Sequence, residues 1–555
     1  MMRHAGFAAA LAVLILGATH VAAADNASFV SGPMPAAPGL GLQRNQDNEP
    51  EIAVDGGGTI WAAAAIADAH TSRNINPGVA SGSDIWRSTD GGTTFQWVAN
   101  PFDATGLDRL PGQAGFDSDI AAAQTRNALG FYNVYAVSFS VGFISIALSP
   151  DGGRHWIVDP VGGTVPDVDR PWIAADGPCV LYLAYHQTDI LTTVVDKYDL
   201  CSAPDLVGGQ TLDPIGSSRL VALAPSMVRN RPAPYVTVGF GKIVVDTSAG
   251  SPFAHRVYIP MMDCGDLTFT AELGRAAAHN PNCPGKSQVV MAVSSDGGRT
   301  WALHHVAQST NSAVPMWPVT SAVDAAGRVY IAWFDNRNAY IDASSDGGTS
   351  WTAPLRVNTA PSLAAVLPTL AAGRAGSVDI AWYGTSVAGD ANDLSVMGPA
   401  GGRGSAPWTL YLARSTDGGK TLAQVAVTGP VHKGVVCTQG TACDQLALPF
   451  AQIAGNNTRD LFENFGMVIN PQTERVSIDY TSDQPEGDLA HDFVGYATET
   501  TATVKSVAVR AASAPPRAVG LPSTGAASRT VSAIELLFLL ACTAGARLGP
   551  GRRSR

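Results

Sequence analysis

The chain has 555 residues, with 35 Lys and Arg against 46 Asp and Glu, a formal net charge of −11, and 58 glycines and 36 prolines. An acidic chain without a basic stripe offers nothing to offset phosphate repulsion, so no nucleic-acid partner is expected. The body from residue 25 to about 500 is long for one domain unless it is built from repeats, and it carries no heptads.

Residues 1–24 read as a secretory signal. Arg3 and His4 open it, Ala5 to Val21 is almost unbroken apolar sequence, and Ala22-Ala23-Ala24 supplies small residues for cleavage after Ala24. Residues 25–44 read as a lead-in to the repeats. Cysteine usage fits export. There are seven cysteines. Cys542 lies in the C-terminal tail, and the other six fall in sequence-close pairs. Disulfides Cys179–Cys201, Cys264–Cys283 and Cys437–Cys443 are therefore the expectation among the connectivities that six cysteines allow.

Within residues 45–500 one octet recurs five times: Ser88 to Phe95, Ser149 to Trp156, Ser294 to Trp301, Ser344 to Trp351 and Ser415 to Leu422, each reading Ser-x-Asp-Gly-Gly-x-x-apolar. Its aspartates are Asp90, Asp151, Asp296, Asp346 and Asp417. An Asp that bonds the backbone ahead of it, two glycines that accept positive φ and a closing apolar residue suit a tight hairpin. A second repeat opens each unit with a turn and a small apolar strand, as in Asn48-Glu-Pro-Glu-Ile-Ala-Val-Asp55, Asp169-Arg-Pro-Trp-Ile-Ala-Ala-Asp176 and Leu367-Pro-Thr-Leu-Ala-Ala-Gly373. Small residues fit strands that crowd around an axis. Asp151 and Asp296 are 145 residues apart, room for two units, one from Asp169 and one near Tyr235. A last unit without an octet runs from about Phe462 to Ala497.

The octets are Asp boxes, and on them the chain resembles the sialidase superfamily, the bacterial neuraminidase repeat proteins. The resemblance implies an all-β propeller of four-stranded blades, with each box in the turn between the third and fourth strands and away from the ligand face. Sialidases have six blades. Six or seven are expected here, and the spacing favours seven.

The ligand face of a propeller is the funnel where inner strands begin. The candidates the sequence places there are Glu49, Asp117, Asp169, Arg170, Trp317, Arg337, Tyr383 and Glu463, with Glu51, Asp119 and Asn464 beside them. Carboxylates near an arginine and a tryptophan suit a sugar, bound by stacking and hydrogen bonds. No cofactor is called for, although a structural calcium is an alternative use of the same acids. Turn carboxylates that only bond backbone amides are the plainer alternative. In the sialidase family three arginines clamp the substrate carboxylate and a Tyr–Glu pair supplies the nucleophile. This chain lacks the family's aromatic-Arg-aliphatic-Pro string before the first box. Asp108-Arg-Leu-Pro111 comes nearest, without the aromatic and after that box. The reading is an exported surface propeller that binds glycan or protein at its funnel face. An exo-sialidase or related glycoside hydrolase and a structural wall protein are the alternatives.

Residues 501–520, rich in Ala and Pro, read as a spacer. Residues 521–555 hold Leu-Pro-Ser-Thr-Gly, the apolar stretch Val531 to Ala546 and an arginine tail. This order resembles the cell-wall sorting signal of Gram-positive surface proteins. The resemblance implies cleavage by sortase between Thr524 and Gly525 and attachment to peptidoglycan.

Overall fold

The computed structural model describes residues 27–36, 47–66, 82–102, 117–140, 143–161, 168–187, 192–200, 214–220, 237–263, 288–309, 319–438, 461, 464–484 and 493–500. The expected signal, spacer and sorting motif, with Thr524 and Gly525, lie outside them. So do Cys201, Cys264, Cys283 and Cys443. The remaining two body cysteines, Cys179 and Cys437, are both disulfide-bonded.

Among the described residues the first strand is β1 (Phe29–Pro33), and antiparallel sheets follow in order. Blade 1 is β2 (Asp47–Val54), β3 (Ile60–Ile66), β4 (Ser83–Ser88) and β5 (Gln96–Ala99). Blade 2 is β6 (Ser118–Arg126), β7 (Tyr132–Ser140), β8 (Phe143–Ser149) and β9 (Ile157–Pro160). Blade 3 is β10 (Val168–Asp176), β11 (Val180–Gln187), β12 (Thr192–Asp199) and β13 (Gly216–Leu220). In blade 4 the inner strand is split into β14 (Thr237–Phe240) and β15 (Val244–Val245), both pairing with β16 (Val257–Asp263), and β17 (Gln288–Ser294) and β18 (Ala302–Gln308) complete it. Blade 5 is β19 (Thr320–Val323), β20 (Val329–Phe334), β21 (Ala339–Ser344) and β22 (Leu355–Arg356). Blade 6 is β23 (Ala364–Ala372), β24 (Val378–Thr385), β25 (Pro407–Ser415) and β26 (Ala423–Lys433), with a one-turn helix α1 (Leu394–Met397) between its second and third strands. Blade 7 is β27 (Met467–Ile469), β28 (Val476–Ser482) and β29 (Phe493–Glu499), and its fourth strand is β1.

This is a seven-bladed β-propeller. Inner strands touch in a closed circle, β2 to β6, β10, β15, β19, β23, β27 and back to β2. Their small residues, among them Ala53, Ala121, Ala174, Ala322 and Ala371, line an axial channel of about 820 Å³. Second strands are largely buried, and β3, β20, β24 and β28 are buried at every residue. Their alternate side chains face two neighbouring blades, so both registers are apolar.

Every Asp box closes a hairpin between the third and fourth strands. In blade 1 the Ser88 hydroxyl donates to Asp90 Oδ1 (2.8 Å) and accepts from Gly92 N (2.8 Å), while Thr94 donates its N–H and hydroxyl to the same carboxylate. The other four boxes repeat the Ser–Asp and Ser–Gly bonds. These bonds hold Asp296 and Asp346 down at about 2, with the hydroxyls of Thr300 and Ser350 the largest cause. Blade 7 can carry no box, because its third and fourth strands belong to opposite ends of the chain.

Candidate functional site

Inner strands begin, second strands end and fourth strands deliver the chain to the next blade at one end of the ring, the funnel end. The box hairpins occupy the other.

Three inner strands begin in the same unusual way. In β2, β10 and β23 the ladder slips so that two residues oppose one, between Asn48 and Glu51, Asp169 and Trp172, and Val366 and Thr369. The first extra residue is Glu49, Arg170 or Leu367, with φ of 49°, 53° and 52°, and each precedes a proline. A non-glycine residue in the left-handed region is uncommon, and the following proline disfavours it further. All three side chains are buried. Bulges of this kind re-aim side chains and recur beside functional sites.

At the axis the funnel end is tied across the ring. Lys242, between β14 and β15, donates from Nζ to Asp119 Oδ1 of blade 2 (2.5 Å) and to Glu51 Oε2 of blade 1 (3.0 Å). Asp119 also accepts from Ile120 N (2.7 Å) and, through Oδ2, from Ile173 N of blade 3 (2.7 Å). Asn464 Nδ2, just before β27, donates to Glu51 Oε1 (2.9 Å). Five blades meet in this network. Burial raises the Asp119 carboxyl above its ordinary value despite the opposing ammonium. Burial lowers Lys242, but the two carboxylates outweigh it and hold the amine above its usual range. Lys242 owes its place to Gly241, where any Cβ would collide with the Val319 carbonyl. Among the described residues no group of three or more His, Cys, Asp or Glu is placed to hold a metal. The acids at the axis hold an ammonium instead.

The sequence candidates fall into four groups. Glu49 and Arg170 sit in the elbows, and Asp117 Oδ2 accepts from Arg170 N (3.2 Å), joining blades 2 and 3. Arg337 lies in the turn after β20, which Asp335 closes by accepting from Arg337 N and Asn338 N. The Arg337 side chain is 62% exposed and its Nε is 4.0 Å from Asp390 Oδ2. Tyr383 is not on the funnel wall. It is fully buried between blades 6 and 7 against Phe465, accepts from Thr481 N (3.1 Å), and burial pushes its hydroxyl well above the usual tyrosine range. Asp169 pairs with His186 in the β10–β11 ladder, but its side chain lies outside the described residues, as do Trp317 and Glu463.

Lys242 escaped the sequence reading. The signal for Lys242 was there: Gly241-Lys242-Ile243 opens an inner strand with a cation where other blades place small or acidic residues.

The fold and its ring of hairpins define a seven-bladed Asp-box β-propeller. No family model matches the chain, and no curated protein does. Solved structures align with it at low identity. One is a protein of unknown function from Dyadobacter fermentans, 14% identical with a TM-score of 0.38, covering 84% of this chain and 97% of that one. A Hadza microbial sialidase is 12% identical with a TM-score of 0.34, over 82% and 66%. The GH93 α-L-arabinofuranosidase of Fusarium graminearum is 14% identical with a TM-score of 0.41, over 69% and 97%. None of these likenesses carries a role to this chain.

Proposed function

We propose that the chain is an exported, wall-attached propeller that binds a glycan or a surface protein at the funnel end. The observation that carries this reading is the trio of bulged, positive-φ elbows at Glu49, Arg170 and Leu367. Backbone strain of this kind costs on the order of 1–3 kcal/mol per residue, persists only where the surrounding structure holds it, and clusters at active sites and ligand clamps. Two of the three elbows hold a buried acid and a buried arginine, Glu49 and Arg170, at the funnel end, and groups of these kinds hydrogen-bond hydroxyls and carboxylates.

Binding is favoured over hydrolysis because three candidate catalytic groups among the described residues are engaged elsewhere. Tyr383 is sealed in an interblade seam, and Glu51 and Asp119 share the ammonium of Lys242. The test is a glycan array probed with the purified full chain, alongside a panel of fluorogenic glycosides that includes a sialoside. Array binding without turnover, lost in Arg170→Ala, is expected. Turnover abolished by Arg170→Ala would replace the binding reading with a glycosidase. Neither binding nor turnover would leave a structural wall protein.

A further inference from the structure

Blade 7 closes against blade 1 beside the axial network, and the seam is tight. Gly466 there has no room for a side chain: a Cβ would stand 2.6 Å from Ile52 N and 2.9 Å from Asp479 Oδ1. Asp479 Oδ1 accepts from Gly466 N (2.7 Å), and Asn464 spends its amide on Glu51. Asn464 is 4% exposed and Asp479 fully buried, yet Asn464 Oδ1 and Asp479 Oδ2 have no hydrogen-bond partner. Buried polar atoms are rarely left so, and each orphan costs about 1–3 kcal/mol.

The two orphans differ in kind. Asn464 Oδ1 can only accept. Burial, and then the charge of Glu51, push the Asp479 carboxyl well above the usual carboxylate range, the direction that favours the protonated acid, which can donate. A group that satisfies both must donate once and accept once. An ammonium cannot accept, and a carboxylate cannot donate. A hydroxyl does both.

We propose that this seam is a site for one hydroxyl group, which donates to Asn464 Oδ1 and accepts from Asp479 Oδ2. The hydroxyl comes from a water or from a polyhydroxylated ligand that reaches the funnel floor, and the second source rests on the binding reading above.

The test is an atomic-resolution crystal structure of the full chain, alone and after soaking with galactose, arabinose or N-acetylneuraminic acid. One oxygen within hydrogen-bonding distance of both atoms is expected. A sugar hydroxyl there after soaking assigns the source to ligand, and an unmoved water assigns it to solvent. Either supports the site. Asp479→Asn, whose amide N–H replaces the acid O–H, keeps the oxygen, and Asp479→Leu loses it. Asn464 and Asp479 bonded directly to each other, no oxygen between them, or a folded Asp479→Leu protein that still orders it would overturn the proposal. The glycan array separates the two readings: a dry seam with array binding defeats only the hydroxyl site, and an ordered oxygen without array binding defeats only the funnel reading.

Discussion

Gly153, the second glycine of the blade 2 box, lies against the indole of Trp61 in blade 1, and a Cβ on it would stand 2.8 Å from the ring. The contact recurs around the ring. Gly298 meets Tyr182, Gly348 meets Tyr258 and Gly419 meets Tyr330, each aromatic belonging to the second strand of the preceding blade. Cations of the preceding blade join the clamp, with Arg87 donating to Gly152 O (2.9 Å) and Arg256 to Gly347 O (3.0 Å). The box is thus a hairpin whose backbone is pressed onto the neighbouring blade.

Two effects can then be separated by glycine replacement. Gly91 and Gly153 both have positive φ, 74° and 84°, but a Cβ on Gly91 meets nothing within 4 Å. Gly91→Ala is expected to cost only the left-handed backbone penalty, roughly 1–2 kcal/mol. Gly153→Ala adds overpacking, typically a further ~1–3 kcal/mol. Denaturant unfolding of the two variants measures the difference, and equal losses would remove the interblade role of the box.

Lys242 is the only cation bonded to Glu51 and Asp119 among the described residues. Lys242→Met leaves two buried carboxylates unpaired and is expected to cost about 3–5 kcal/mol at neutral pH. The loss should shrink as pH falls, because burial already raises the Asp119 carboxyl and its protonation removes a buried charge that the variant cannot balance. Replacing Glu51 and Asp119 by Gln and Asn in the same protein should recover most of it. A loss independent of pH would mean that Lys242 acts through packing alone.

Arg414 bridges blades 6 and 7, with Nε on Asp379 Oδ1 (2.6 Å) and its two terminal nitrogens on the Glu499 carboxylate (3.1 and 2.9 Å). Lysine carries the charge but not the fork. Arg414→Lys is therefore expected to lower the unfolding midpoint nearly as far as Arg414→Met, and full stability in the lysine variant would show that charge suffices.

The local devices were legible in the sequence and the long-range ones were not. An Asp box is complete within eight residues, so five of them identify five hairpins, and their spacing leaves room for two more blades. The closing strand was not legible: Phe29–Pro33 sits in what reads as a lead-in, and Ser28 bonds Thr500 across 472 residues of chain. Glu51 and Asp119 were visible as blade openings, while their partner Lys242 is 191 and 123 residues away. Tyr383 misled for a physical reason. A strand buried on both faces gives no alternation by which an interblade aromatic can be told from one on the funnel wall.

Attachment to the wall has its own test. Thr524→Ala, or truncation after Gly520, is expected to shift the protein from the wall fraction to the medium, read by immunoblot of the two. A truncated chain that stays with the wall would defeat the sorting assignment and leave the propeller untouched.

Asp342, on the third strand of blade 5, gives stability a particular pH dependence. Its Oδ2 accepts from Trp333 Nε1 (2.8 Å), and Oδ1 is buried with no partner. Burial pushes the carboxyl up to about 7, the indole only partly opposing it. A carboxyl raised on folding binds its proton more tightly in the native state. Its contribution is whole below its unfolded value near 4 and is lost as pH rises through about 7. Asn at this position keeps the acceptor for Trp333 and has no charge to bury. Asp342→Asn should therefore melt with the wild type at pH 4 and above it at pH 8, with a flatter profile between. Thermal melts across that range decide it, and parallel curves for the two proteins would show that Asp342 is ionised in the fold.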